Sequence, residues 1–263
     1  MPINIDSKYK DFSLKPDAEL SYFLAKKDKA SYIYNVVNIE GNPMTFPEVK
    51  TLLEGITVGG RKIEDEQQVL NQEKALEELL SLVKEKKFEL NKDIFSKLNY
   101  LVANGEALIP GEFRTGRVTI GGTEHMPPEP DKLTGVFEEG LKDIKAIENP
   151  VTRALVFFGF GSINQFFWDG NKRTSRLMAN GVLMEHGYPV LNIKAEDKLE
   201  FNREMIKFYD SGDYNTLLSW LAPYYLKGAL KIGFTEQAAE NKKDAFAEDL
   251  EKRLNKNKGP KLG

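Results

Sequence analysis

The run Gln165 to Arg176, QFFWDGNKRTSR, joins two segments of helical period through an Asp-Gly-Asn turn, and the second opens with Lys172, Arg173 and Arg176. Cations at a helix start face the positive end of the macrodipole, at a cost of a few tenths to about 1 kcal/mol each. A bound anion offsets that cost. Free backbone N–H groups, an adjacent glycine (Gly170) and basic side chains leaning back toward the helix start make a phosphate site. Arg173 and Arg176 stand three residues apart, share a helix face and suit successive phosphates. Asp169 suits a Mg²⁺ that bridges phosphate oxygens, because magnesium usually takes only one or two carboxylates from the protein. A plainer reading stays open: Asp-Gly-Asn is a common turn, and Lys and Arg are good helix formers. A second glycine-spaced run, Gly111 to Val118 (GEFRTGRV), has the spacing of a phosphate-binding loop. It lacks the Lys and Ser/Thr that touch phosphate and magnesium, and is set aside.

The elements that must position this run read as mostly helical. Thr45, Pro47 and Glu48 mark a short helix start with a capping box, and Gly55 marks its end. Val69, Leu76, Leu80 and Val83 recur at helical spacing through 64–87, and Ile94, Phe95, Leu98 and Val102 through 92–104. Helical patterns return at 131–147, 150–164, 172–186, 196–209 and 214–226. Leu155, Phe157, Phe158 and Phe160 are expected to fill the core on one side of the run, and Met178, Val182 and Leu183 on the other. The aromatic, β-branched patch at 32–39 is ambiguous. Between the helices, 108–130 breaks the period with glycines and prolines around the alternating Arg117-Val118-Thr119-Ile120, which predicts a small β-hairpin or extended arm. The expected fold class is mainly α with a small β-hairpin flap. Its expected parts are an N-terminal segment (1–60), a helical core (61–226) and a charged C-terminal tail (227–263), read as a solvated helix with a frayed end.

Composition bounds the function. The 263 residues are 41% hydrophobic and 29% charged, with a mean hydropathy of -0.44, within the ordinary range for a water-soluble chain. No cysteine is present, which excludes a disulfide scaffold, a thiolate metal site and a thiol nucleophile. The formal charge of -3 gives no global field for nucleic acid, so nucleic acid is not the expected partner and any anion site must be local. No secretory signal or apolar run of membrane-spanning length is visible, and a cytoplasmic protein is expected. A homo-oligomer remains open.

The stretch 165–176 resembles the signature of the Fic family, H-x-F-x-D/E-G-N-G/K-R-x-x-R, and departs only at its first position. Upstream, PGEFRTGRVTIGGTEHMPPEP resembles the family's β-hairpin flap, and Thr51-Leu52-Leu53-Glu54-Gly55 resembles the end of its inhibitory helix. The resemblance implies a compact helical fold that binds ATP with Mg²⁺ and transfers AMP to a hydroxyl of a protein target. Residue by residue, it implies that Phe167 anchors the loop and Asp169 holds magnesium. It gives Gly170, Asn171 and the Lys172 N–H the α-phosphate region, Arg173 the β-phosphate and Arg176 the γ-phosphate. The flap, Arg117, Val118, Thr119, Ile120, Gly121, Gly122 and Thr123, would dock an unknown protein target by strand addition. Glu54 would inhibit by pairing with Arg176, although Lys50 stands where the family has Ser or Thr four residues earlier.

The signature's opening histidine is the family's general base, and here Gln165 holds its place. A neutral amide orients a hydroxyl but takes no proton near neutral pH. The expectation is therefore nucleotide binding with impaired adenylyl transfer. Alternatives are transfer of another phosphate-containing group, or a non-catalytic module that binds ATP or a peptide. Of the two histidines, His125 follows the flap and is the one that could approach the site as a substitute base, while His186 suits the C-terminal end of its helix.

Overall fold

The computed structural model describes residues 3–9, 12 and 14–234. Among these, ten α-helices follow one another: α1 (Ala18–Lys27), α2 (Lys29–Ile39), α3 (Phe46–Leu53), α4 (Ile63–Lys84), α5 (Lys92–Val102), α6 (Leu133–Lys145), α7 (Pro150–Asn164), α8 (Asn171–Glu185), α9 (Lys198–Ser211) and α10 (Tyr214–Lys231). The chemistry of their starts is local. The Asn149 side chain accepts from the Val151 and Thr152 N–H groups at 3.0 Å each, and Pro150 follows in the first turn, so α7 begins where the sequence says. At α3 the Glu48 carboxylate accepts from the Thr45 N–H at 2.7 Å and from Arg61 Nη2 at 2.6 Å. These contacts, the Thr45 N–H first, hold the Glu48 carboxyl down at about 2.

The antiparallel pair α7 and α8 forms the centre. Leu155, Phe157, Phe158 and Phe160 of α7 and Met178, Val182 and Leu183 of α8 are all buried. Their close approach depends on Gly161, since a Cβ there would lie 2.0 Å from Ser175 Oγ. Around the pair, α4 and α5 lie against one side of α8, and α9 and α10 close the other side of the core.

One ambiguity is resolved here and one expectation fails. The 32–39 patch is helix, because Tyr32, Ile33, Val36, Val37 and Ile39 are all buried and packing overrides their strand preference. The β-hairpin flap is absent: 108–130 contains no strand, nor does any other described residue. Its second arm cannot ladder. Pro127, Pro128 and Pro130 bring no N–H donor, and the His125 N–H is taken by Thr123 Oγ1 at 3.0 Å. The segment is instead an irregular loop held at its ends by side chains. The charged tail expected after 227 lies outside the described residues from 235 onward, while α10 runs on to Lys231.

Candidate functional site

Between α7 and α8 the chain makes a turn with two left-handed residues. Gln165 adopts φ 48° and Gly170 φ 73°. For a side chain such as glutamine this costs on the order of 1 kcal/mol or more, and such strain clusters at functional sites. At Gly170 only glycine fits, since a Cβ would also meet Val102 Cγ1 at 3.0 Å and Asn99 Nδ2 at 3.2 Å.

The turn between them is over-determined. Phe166 and Phe167 are fully buried, with Phe167 4.7 Å from Phe95 and Phe166 5.0 Å from Phe113, centroid to centroid. Asn171 closes the loop on itself: its Oδ1 accepts from the Phe167 N–H at 2.9 Å and its Nδ2 donates to the Phe167 carbonyl at 2.8 Å. Asn99 on α5 braces it from outside, donating to the Asp169 carbonyl at 2.9 Å and to Thr174 Oγ1 at 3.1 Å. The buried Arg114 ties the 108–130 loop to the same turn. Its guanidinium donates to the carbonyls of Gln165 (2.6 Å), Gly116 (2.8 Å) and Pro128 (2.5 Å), and its N–H to the Phe166 carbonyl (2.9 Å).

Beside the turn lies a cleft of about 390 Å³. Thr119, Ile120 and Gly121 form one wall, Gln165 and Lys172 the floor, and Asn202, Met205, Ile206 and Tyr209 of α9 the other wall. The structure thus brings together the signature's first position, one of its cations and part of the expected flap. Arg117 points away to Glu129 at 2.9 Å, and Val118 and Gly122 do not line the cleft. Thr123 bonds the Asp210 carboxylate of α9. The α9 residues carry no sequence motif; helical period alone marks them as one face.

Two of the three cations at the α8 start meet carboxylates. Lys172 Nζ lies 3.0 Å from Glu40 Oε2. Arg173, 4% exposed, makes a bidentate pair with Glu106, 2.8 Å on each oxygen, and stands 3.4 Å from Asp169 Oδ1. Arg176 is fully buried, and none of its three side-chain nitrogens has a hydrogen-bond partner among the described residues. Burial pulls its pKa below the usual arginine value, opposed by the charge of Glu40 and by tyrosines including Tyr32 and Tyr209. The Phe158 and Phe201 rings stand 5.8 and 5.6 Å from its Cζ. Glu40 Oε1 and the Tyr209 hydroxyl are likewise buried without partners.

Glu54 is elsewhere. It caps the end of α3, is exposed, and forms no ion pair among the described residues. The carboxylate paired with Lys172 is Glu40, at the end of α2, and its charge also acts on Arg176. Its signal was a Glu-Gly pair closing a helix, Glu40-Gly41, of the same form as Glu54-Gly55. Asp169 is half exposed at 54%, and its Oδ2 has no partner among the described residues. No group of three or more metal-binding side chains occurs among those residues. The open Oδ2 of Asp169 leaves one carboxylate oxygen available to a ligand.

At the signature's first position both ends of the Gln165 amide are engaged. Nε2 donates to the Ser162 carbonyl at 2.7 Å, and Oε1 accepts from Asn171 Nδ2 at 3.1 Å. His125 approaches the Ile163 carbonyl through Nε2 at 3.1 Å and stacks on Tyr209, 6.5 Å between centroids, but does not line the cleft. His186 caps the far end of α8, with Nδ1 2.8 Å from the Val182 carbonyl. No described helix is long and apolar enough to cross a membrane.

The sequence profile described as the Fic/DOC family matches residues 82–183. A protein adenylyltransferase Fic of Drosophila ananassae is 30% identical over 226 residues, 83% of this chain and 45% of that protein. The Drosophila grimshawi protein of the same name is 31% identical over 228 residues, 84% of this chain and 46% of its own length. The chain thus spans about half the length of these curated relatives. Among solved structures, a Fic domain containing signaling protein from Bacteroides thetaiotaomicron has a TM-score of 0.71 at 23% identity, covering 87% of this chain and 93% of the other. Fic-1 (residues 134–508) from Caenorhabditis elegans also has a TM-score of 0.71, at 20% identity, covering 81% of this chain and 65% of the other.

Proposed function

The chain carries a domain of the Fic/DOC family, and on that premise we propose that it binds ATP with Mg²⁺ beside α8, in a site built for AMP transfer to a protein hydroxyl but impaired at Gln165. The observation that carries this reading is Arg176, a guanidinium with no exposure and no hydrogen-bond partner among the described residues. A buried cation so placed costs several kcal/mol unless an anion reaches it. A γ-phosphate supplies that anion, with Lys172 at the mouth and the free N–H groups of the first turn of α8 for the α-phosphate region. Arg173 takes the β-phosphate. Mg²⁺, when bound at Asp169, would neutralise phosphate charge.

In the transfer the target hydroxyl oxygen attacks the α-phosphorus, the bond to the bridging oxygen breaks, and pyrophosphate leaves. The hydroxyl proton needs an acceptor, and the cleft supplies none. Of its lining residues only Lys172 and Tyr209 ionise. Lys172 is ion-paired, and burial pushes the Tyr209 hydroxyl well above its ordinary value. A non-catalytic, ATP- or peptide-binding module is the second reading, and this lack of a base is what favours it. The target docks against the loop wall of Thr119, Ile120 and Gly121, in an open loop rather than a hairpin. The inhibitory role that the resemblance gives to a glutamate falls to Glu40, which pairs with Lys172 and acts on Arg176 through its charge, and not to Glu54.

Labelled ATP incubated with cell lysate tests the reading. Glu40→Gly is expected to label targets weakly, and Glu40→Gly with Gln165→His more strongly by ~10²–10⁴-fold, the usual worth of a positioned base. Strong labelling by the unaltered chain overturns the impairment. Equal, absent labelling by the double variant leaves the binding module as the function.

A further inference from the structure

Arg173 and Glu106 form the most closely matched of the ion pairs at the α8 start. Both carboxylate oxygens of Glu106 sit 2.8 Å from separate guanidinium nitrogens, fork to fork. An arginine uses the same fork to hold two oxygens of a phosphate. The two occupants exclude each other, because Arg173 is 4% exposed and its remaining contacts are the Val102 carbonyl and Asp169, both at 3.4 Å. We propose that Glu106 is an internal competitor for the β-phosphate, and so sets how strongly the site prefers di- and triphosphates to a monophosphate. The inference rests on the reading of Arg173 as a β-phosphate ligand.

Glu106 is placed to yield. It stands on a surface turn just after α5, following Gly105 at φ 78°, with Leu108 75% exposed in the same turn and its own side chain 18% exposed. A turn shifts with less loss of structure than a helix. Its second support is the Gln68 amide, whose Nε2 donates to Glu106 Oε2 at 2.9 Å. Gln68 Oε1 in turn accepts from Asn42 Nδ2 at 3.1 Å, two residues after Glu40. The support of Glu106 thus runs through Gln68 to Asn42, near the end of α2. Glutamine in place of Glu106 keeps the shape, removes the charge and leaves Arg173 a buried cation in need of a partner.

The test is nucleotide affinity of the full chain in Mg²⁺, by calorimetry and by thermal melting, with AMP, ADP and ATP as separate probes. Glu106→Gln is expected to bind ADP and ATP about tenfold more tightly or better, the gain when a competent state below about a tenth of the population is released. AMP binding should not change, and ADP should restore the melting temperature that the variant loses. Gln68→Ala, which leaves the Arg173 side chain untouched, is expected to show the same pattern at roughly three- to tenfold, the net worth of one typical hydrogen bond. A gain that includes AMP, no gain in either variant, or weaker ADP binding overturns the proposal; the last makes Glu106 a positioning residue for Arg173. Glu40→Gly measured alongside separates the causes. If it binds ATP while Glu106→Gln and Gln68→Ala give no ADP-dependent gain, this inference alone falls. If no variant binds any nucleotide, the nucleotide reading falls with it.

Discussion

The two sides of the cleft are made differently. The α7–turn–α8 unit is buried along almost its whole length, and its turn is fixed by Asn171 from within and Asn99 from outside. The loop 117–123 opposite has no strand, its backbone makes no ladder, and Arg117, Thr119, Gly121 and Gly122 are exposed. One side holds its groups in place before any ligand arrives, as tight binding of a small charged ligand requires. The other leaves exposed backbone outside any ladder, the form that the proposed docking of a target would use. Arg114 is the joint between them, spanning from Gln165 to Gly116 and Pro128 with a single side chain.

The joint is the first place to break the contrast. Arg114→Ala removes three charged hydrogen bonds from a buried side chain and is expected to cost about 3–5 kcal/mol. Denaturant unfolding checks it, with nucleotide affinity expected to fall as the turn loosens. A loss below 1 kcal/mol would show that the turn holds without the loop. Within the rigid side, Gly161→Ala forces a Cβ to within 2.0 Å of Ser175 Oγ. Overpacking of this kind costs about 1–3 kcal/mol, readable as a lower melting temperature. On the adaptable side, Thr119→Ala should leave stability within about 0.5 kcal/mol, as exposed substitutions do. It should nevertheless reduce labelling of protein targets by the Glu40→Gly, Gln165→His protein. Equal sensitivity of the two walls to stability loss would remove the distinction.

The rigid wall was the legible one. The helical pattern at 150–164 marks α7, Gly170 and the cations mark the turn into α8, and the Thr45–Glu48 box starts α3; each signal is local and survives packing. Legibility failed where the deciding partner lies far off in the chain. The 32–39 patch has strand-forming residues, but burial on several sides made it helix. Alternation at 117–120 suggested a strand, yet a strand needs a neighbour, and the prolines after His125 removed the only adjacent one. The resemblance put the inhibitory glutamate at Glu54, whereas the carboxylate paired with Lys172 belongs to the other Glu-Gly helix end, Glu40. No local signal marks Glu106, whose partner is 67 residues away. The cations at the α8 start did predict that negative charge must be near. In the fold that charge comes from Glu40, Glu106 and Asp169; under the proposals above Glu40 and Glu106 give way to phosphate while Asp169 stays to hold magnesium.

The central claim is that Arg176 is held for a nucleoside triphosphate. Its most direct test is calorimetric titration of Mg-ATP into the Glu40→Gly protein and into the same protein carrying Arg176→Ala, with circular dichroism to confirm that both fold. The account predicts saturable binding by the first and at least a ~100-fold loss in the second, the order expected for removing one buried charged contact. No heat with Glu40→Gly, or equal affinity in the two proteins, would contradict it.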